Sequence, residues 1–113
     1  MYADKRTYSG GTPLTTSFAE TAASILFSST PAGGTLAIIN TTSDVIAVVF
    51  GSYKVGETPD STLPGRCYLV PAAPTGGSGA LLIDLAQISK GNKVYVRAVN
   101  TEQTSGSIYA FIK

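Results

Sequence analysis

The chain has 113 residues, enough for one domain that buries roughly two-thirds of its unfolded surface, and its 43% hydrophobic content excludes wholesale disorder. Charged residues make up only 13%, against about a quarter in an ordinary soluble domain, and the net charge of +1 is spread without a basic run, so nucleic acid is not an expected partner. With no histidine and a single cysteine, neither a His/Cys zinc centre nor a Ser-His-Asp triad can be assembled, and no enzymatic activity, metal, cofactor or small-molecule substrate is expected.

Residues Met1 to Pro13 read as an N-terminal arm. Asp4, Lys5 and Arg6 stand between Tyr2 and Tyr8, followed by Gly10-Gly11 and Pro13, with no sustained period. Ser9-Gly10-Gly11 reads as a hinge between this arm and a body over residues 14–113. The arm lacks the apolar region of a signal peptide, and no apolar run approaches the ~20 residues of a membrane span; a cytoplasmic origin and no membrane partner are expected. Tyr2 and Tyr8 have no core of their own in an arm. With Asp4, Lys5 and Arg6 they are the candidate interface residues, because Tyr offers large contact area, few rotors and a polar tip. On this reading, deleting Met1 to Gly11 removes partner binding or oligomer formation and leaves the body folded.

Leu14 to Ala19 reads as a first short strand or as part of the arm. Ser24 to Ser28 is a strand, ended by Ser29-Thr30-Pro31 and Gly33-Gly34. Leu36 to Ile39 and Val45 to Phe50 are β-branched apolar runs joined through Asn-Thr-Thr-Ser-Asp, which reads as two strands with a tight connection. Lys54 to Gly65 is a long polar loop, Arg66 to Val70 a fifth strand, and Pro71 to Gly79 a second loop. Leu81 to Leu85 is a sixth strand, and Ala86 to Lys90 one helical turn. In Lys93 to Val99, Val94, Val96 and Ala98 face one way while Tyr95, Arg97 and Val99 face the other. In Ser107 to Ile112, Ile108, Ala110 and Ile112 alternate with Tyr109 and Phe111.

Seven or eight short strands between Gly, Pro, Ser, Thr and Asn turns predict an all-β, single-domain β-sandwich, jelly-roll-like, with antiparallel strands. An immunoglobulin-like sandwich competes, but the chain has no Trp and no Cys pair. Exposed sheet edges invite pairing, and this chain has few charges with which to blunt them. Pro59, Pro64, Pro71 and Pro74 can protect some edges; the shortage of charges predicts that one edge is covered in an assembled state.

Other groups read as structure. Cys67 is a small hydrophobe in a strand, since no histidine is present to activate it. Glu57 and Asp60 match no calcium-loop pattern and read as a solvated loop. The Thr75 to Gly79 glycines precede a strand rather than a helix, which is the wrong context for a phosphate loop. Tyr95 and Tyr109 pack over a sheet face, while Tyr53 and Tyr68 are ambiguous.

Several elements together resemble a known family. A strand ends in Asn40 and small polar residues, and the next ends in Gly51; Leu63-Pro64-Gly65 precedes a strand. Then come Ile83-Asp84-Leu85, Val94-Tyr95-Val96-Arg97 and Thr104-Ser105-Gly106-Ser107-Ile108-Tyr109. Over Leu36 to Lys113 this resembles the small β-sandwich proteins of tailed-bacteriophage virions, especially capsid decoration (cement) proteins. The resemblance implies a non-enzymatic role on the outer capsid surface, where such proteins, often trimers, bridge major capsid protein subunits; a homo-oligomer, with a trimer favoured, is accordingly expected of this chain. It supplies no catalytic residues; Asn40, Gly51, Pro64 and Gly65 match as turn residues. A tail, neck or fibre protein is the second structural reading, and a carbohydrate-binding receptor module using Tyr53 or Tyr68 is the reading from another class.

Overall fold

Among the described residues eight strands form, all but the first where β-branched or alternating runs lie between turn residues. The computed structural model describes residues 2–8, 10, 12–51, 67–73, 77, 79–87 and 91–113. The strands are β1 (Tyr2–Thr7), β2 (Ile25–Phe27), β3 (Thr35–Asn40), β4 (Ile46–Phe50), β5 (Cys67–Val70), β6 (Gly79–Asp84), β7 (Val94–Ala98) and β8 (Ser107–Ile112). One 3₁₀ turn, Leu85–Gln87, follows β6 where one helical turn is predicted to begin one residue later. The predicted Lys54 to Gly65 loop lies outside the described residues, as do Pro74, Thr75, Gly76 and Ser78 of the second loop.

Two four-stranded antiparallel sheets result, ordered β1-β8-β3-β6 and β2-β7-β4-β5. Their pairings β1·β8, β2·β7, β3·β6 and β4·β5 are those of one long antiparallel ribbon folded back on itself. The β3·β8 and β4·β7 ladders join its turns. That is the jelly-roll order. Consequently β3 and β4 do not form a hairpin: their tight connection carries the chain from one sheet to the other.

The alternation read from the sequence decides what lies between the sheets. Leu36, Ile38, Ile83, Ile108, Ala110 and Ile112 of the first sheet meet Ile46, Val48, Phe50, Val70, Val94, Val96 and Ala98 of the second, all buried. Tyr8 and Leu14 complete this core. β4 is buried on both faces, which is why it reads as a continuous apolar run rather than an alternation.

The expected arm is placed differently. Tyr2 to Thr7 pair with Ile112 to Ser107 as the edge strand of the first sheet, and Tyr8 is only 1% exposed. Its hydroxyl donates to the Ala23 carbonyl at 3.1 Å. Leu14 forms an isolated antiparallel bridge with Gln103, and no strand covers the rest of Leu14 to Ala19. The segment around β1 therefore belongs to the sandwich, because Tyr8 finds its core at the sheet's open side.

Candidate interaction face

Two groupings of side chains deserve a chemical reading: a buried polar corner and the outer face of the first sheet. The corner forms where the β3–β4, β5–β6 and β7–β8 connections meet. Asn40, fully buried at the end of β3, donates from Nδ2 to the Asp44 carbonyl at 2.8 Å and to the Pro71 carbonyl at 3.0 Å. Its Oδ1 accepts from the Thr42 N–H at 2.9 Å and the Thr42 hydroxyl at 2.6 Å. Asp44 Oδ2 accepts from the N–H groups of Asn100 and Thr101 at 2.7 and 2.9 Å, and Oδ1 from Asn100 Nδ2 at 2.9 Å. Gln103 adds a bridge, accepting at Oε1 from the Ser43 N–H and hydroxyl.

Burial pushes the Asp44 carboxyl up, but the hydrogen bonds from Thr101, Asn100 and Val45 outweigh it and hold the group below its ordinary range. The corner admits no side chain at two positions. A Cβ on Gly79 would collide with the Pro71 carbonyl, and Gly106, at a φ of +83°, would place one 2.8 Å from the Thr41 carbonyl oxygen. Among the described residues, every buried side-chain polar atom has a partner. The corner's groups are thus spent on one another, and it fixes the loops. Asn40 was legible in the sequence as a turn residue, and its role as the hub was not. The signal was an Asn closing an apolar strand with an Asp four residues on.

The outer faces of the two sheets differ. On the second sheet, Ala47, Val49, Cys67 and Tyr95 are buried, with Phe18, Ile25, Leu69 and Val99 packed against them. The Thr15–Glu20 segment is fastened to this face: Arg97 lies 5.3 Å from the centre of the Phe18 ring and donates to the Thr16 carbonyl at 2.9 Å, and the Tyr95 hydroxyl donates to Glu20 at 2.7 Å. Cys67, 1% exposed, is the strand hydrophobe that the sequence predicts.

The first sheet carries no such cover among the described residues. Its register sets Ala3, Phe111, Ala37 and Leu82 in one row across the four strands, and Lys5, Tyr109, Ile39 and Ala80 in the next. Ala37, Ile39, Tyr109 and Phe111 are half-buried, while Leu82 is 71% exposed. The Lys5 ammonium sits 5.1 Å from the centre of the Tyr109 ring, the one charge on these two rows. An apolar, weakly charged face of this kind costs little to desolvate and is fitted to a broad protein contact.

The five candidate interface residues are not brought together on this face. Lys5 lies on it. Asp4 and Arg6 occupy the opposite side of β1, where Arg6 bonds Asp4 and the Ala22 and Leu26 carbonyls, so the pair straps the two sheets together. Tyr8 is in the core, and Tyr2 lies opposite Ile112 in the ladder. Of the residues considered for sugar binding, Tyr68 is half-buried with its ring edge-on to the core Phe50 at 5.9 Å, and Tyr53, like Glu57 and Asp60, lies outside the described residues. Among the described residues, no group of three or more His, Cys, Asp or Glu could hold a metal, and no helix is long and apolar enough to cross a membrane.

Comparison of the chain with protein-family models, with curated proteins and with solved structures gave no match.

Proposed function

We propose that the protein is a non-enzymatic virion component of the capsid decoration type, which binds the outside of a phage shell and bridges major capsid protein subunits. The observation that carries this reading is the apolar outer face of the first sheet, at Ala37, Ile39, Tyr109 and Phe111, which no other described residue is seen to cover. The resemblance of Leu36 to Lys113 to cement proteins supports the choice of a capsid subunit as partner. Repetition on a lattice converts a contact of modest strength into firm attachment, because each bound copy works at high effective concentration. A low-charge surface backed by a rigid sandwich suits that task.

The test uses shells of the encoding virus stripped of the protein. Wild-type chain is expected to cosediment with them, and an Ile39→Lys/Phe111→Lys variant to lose at least about tenfold in affinity, since two charges must then be desolvated at the contact. Circular dichroism and the unfolding midpoint of the variant check that the sandwich is intact. Unimpaired binding by a folded variant removes the face from the account; no binding by the wild type removes the shell.

A further inference from the structure

We propose that the free edge of β6 is a pairing site for a second copy of this chain, joined antiparallel about a two-fold axis at Leu82. The argument starts from ladder parity. The Leu85 N–H donates to the Gly34 carbonyl at 2.9 Å, extending the β3·β6 register by one position. In an antiparallel ladder bonded and unbonded pairs alternate. Ile83, Leu81 and Gly79 therefore bond β3, and Ala80, Leu82 and Asp84 direct their N–H and C=O groups away from it. All three residues are exposed, and their side chains lie on the sheet's outer face.

The opposite edge of the same sheet shows what a closed edge looks like. The Tyr8 N–H donates to the Gly106 carbonyl, so by the same parity Ala3, Lys5 and Thr7 of β1 point their backbone groups outward. There the Lys5 N–H donates to Asp4 Oδ1 at 2.8 Å, and the Lys5 carbonyl accepts from Arg6 Nη1 at 3.0 Å. β1 thus occupies its own central edge groups and surrounds them with three charges, which is how sheet edges are kept from pairing. β6 has neither device. Its one charged residue, Asp84, accepts from the Ala86 N–H and so serves the 3₁₀ turn. In the other sheet, β2 has three residues and a register shift, and β5 has four and is followed by Pro71. β6 is the longest open edge among the described residues.

A second copy fits this edge because the strand is complementary to itself. With Leu82 opposite Leu82, Ala80 falls opposite Asp84, and about six backbone hydrogen bonds form from the outward groups. The two Leu82 side chains cover each other on the outer face. The two Asp84 carboxylates stand at opposite ends, roughly 14 Å apart along the strands, beyond the ~10 Å screening length. The first sheets of two copies then run on as one, doubling the apolar face. This pairing rests on the edge geometry and stands independently of the shell reading.

Sedimentation velocity from micromolar to millimolar protein tests it. The wild type is expected to show a monomer–dimer equilibrium, and Leu82→Lys to weaken dimerisation by at least about tenfold with its unfolding midpoint unchanged. Leu82→Cys is expected to give a covalent dimer on mild oxidation, because residues facing each other in a bonded pair stand about 5.5 Å apart at Cα. Lys5→Cys, on the closed edge, is the control and is expected to remain monomeric under oxidation. A monomeric wild type at every concentration, a dimer or larger oligomer indifferent to Leu82→Lys, or equal cross-linking from both cysteines overturns the pairing.

Discussion

The Tyr8→Ala variant is expected to lose about 3–5 kcal/mol of folding stability, the usual cost of removing a buried aromatic side chain. Tyr8 is 1% exposed, shares the main core with Leu26 and Ile108, and donates its hydroxyl to Ala23. Tyr8→Phe keeps the ring and is expected to lose about 1 kcal/mol, the worth of one hydrogen bond. Burial also pushes the Tyr8 hydroxyl pKa up, with Arg6 opposing weakly, so the phenol stays protonated in the fold. Removal of residues 1–11 should cost more than either, because it strips Tyr8 and the whole β1·β8 ladder from the edge of the sheet. Urea denaturation at neutral pH measures all three. A truncated chain as stable as the full one would show that the segment is an appendage after all.

Asp44 supplies the second large effect, and it depends on pH. At neutral pH, Asp44→Asn is expected to cost about 2–3 kcal/mol: its one oxygen can still accept from the Asn100 and Thr101 N–H groups, but the charge that strengthens those bonds is gone and the amide nitrogen meets the Asn100 Nδ2 donor in place of Oδ1. The folded state holds this carboxyl below its ordinary value of 3.8. Its contribution is therefore fully present above that value and disappears as the pH falls through the lower, folded-state value. Denaturation curves taken from pH 7 down to pH 2 should show wild type and variant converging in acid. A gap of constant size across that range would mean that the charge does not hold the corner.

Much of this architecture is legible in the residues themselves. β7 and β8 alternate cleanly because each has one face in the core, and Val94-Val96-Ala98 and Ile108-Ala110-Ile112 are the faces that the sequence predicts. β4 is found by its β-branched run, although only the second cluster, with Ala47 and Val49 in it, explains why both of its faces are apolar. β1 is not legible, for a physical reason. Its inward positions carry Asp4 and Arg6 ahead of Tyr8, so charge interrupts the period that would mark a strand. Those charges can sit there only because the edge of the sandwich lets Arg6 reach the Ala22 and Leu26 carbonyls. Polar inventory likewise points the wrong way at Asn40 and Asp44, which read as a surface turn. The chain folds three connections over them, and that is a fact of topology rather than of composition. Sequence also anticipates an edge to be covered in assembly, but which edge depends on ladder parity, which no single strand reveals.

The proposal that joins these parts is a jelly roll that offers the face of its first sheet to a viral shell. Electron cryomicroscopy of particles from the encoding virus tests it most directly. The expected result is density for the sandwich on the outer shell at lattice copy number, with Ile39, Tyr109 and Phe111 turned toward the major capsid protein. Its absence from the particle, or its confinement to a ring of about a dozen copies at the neck, would contradict it.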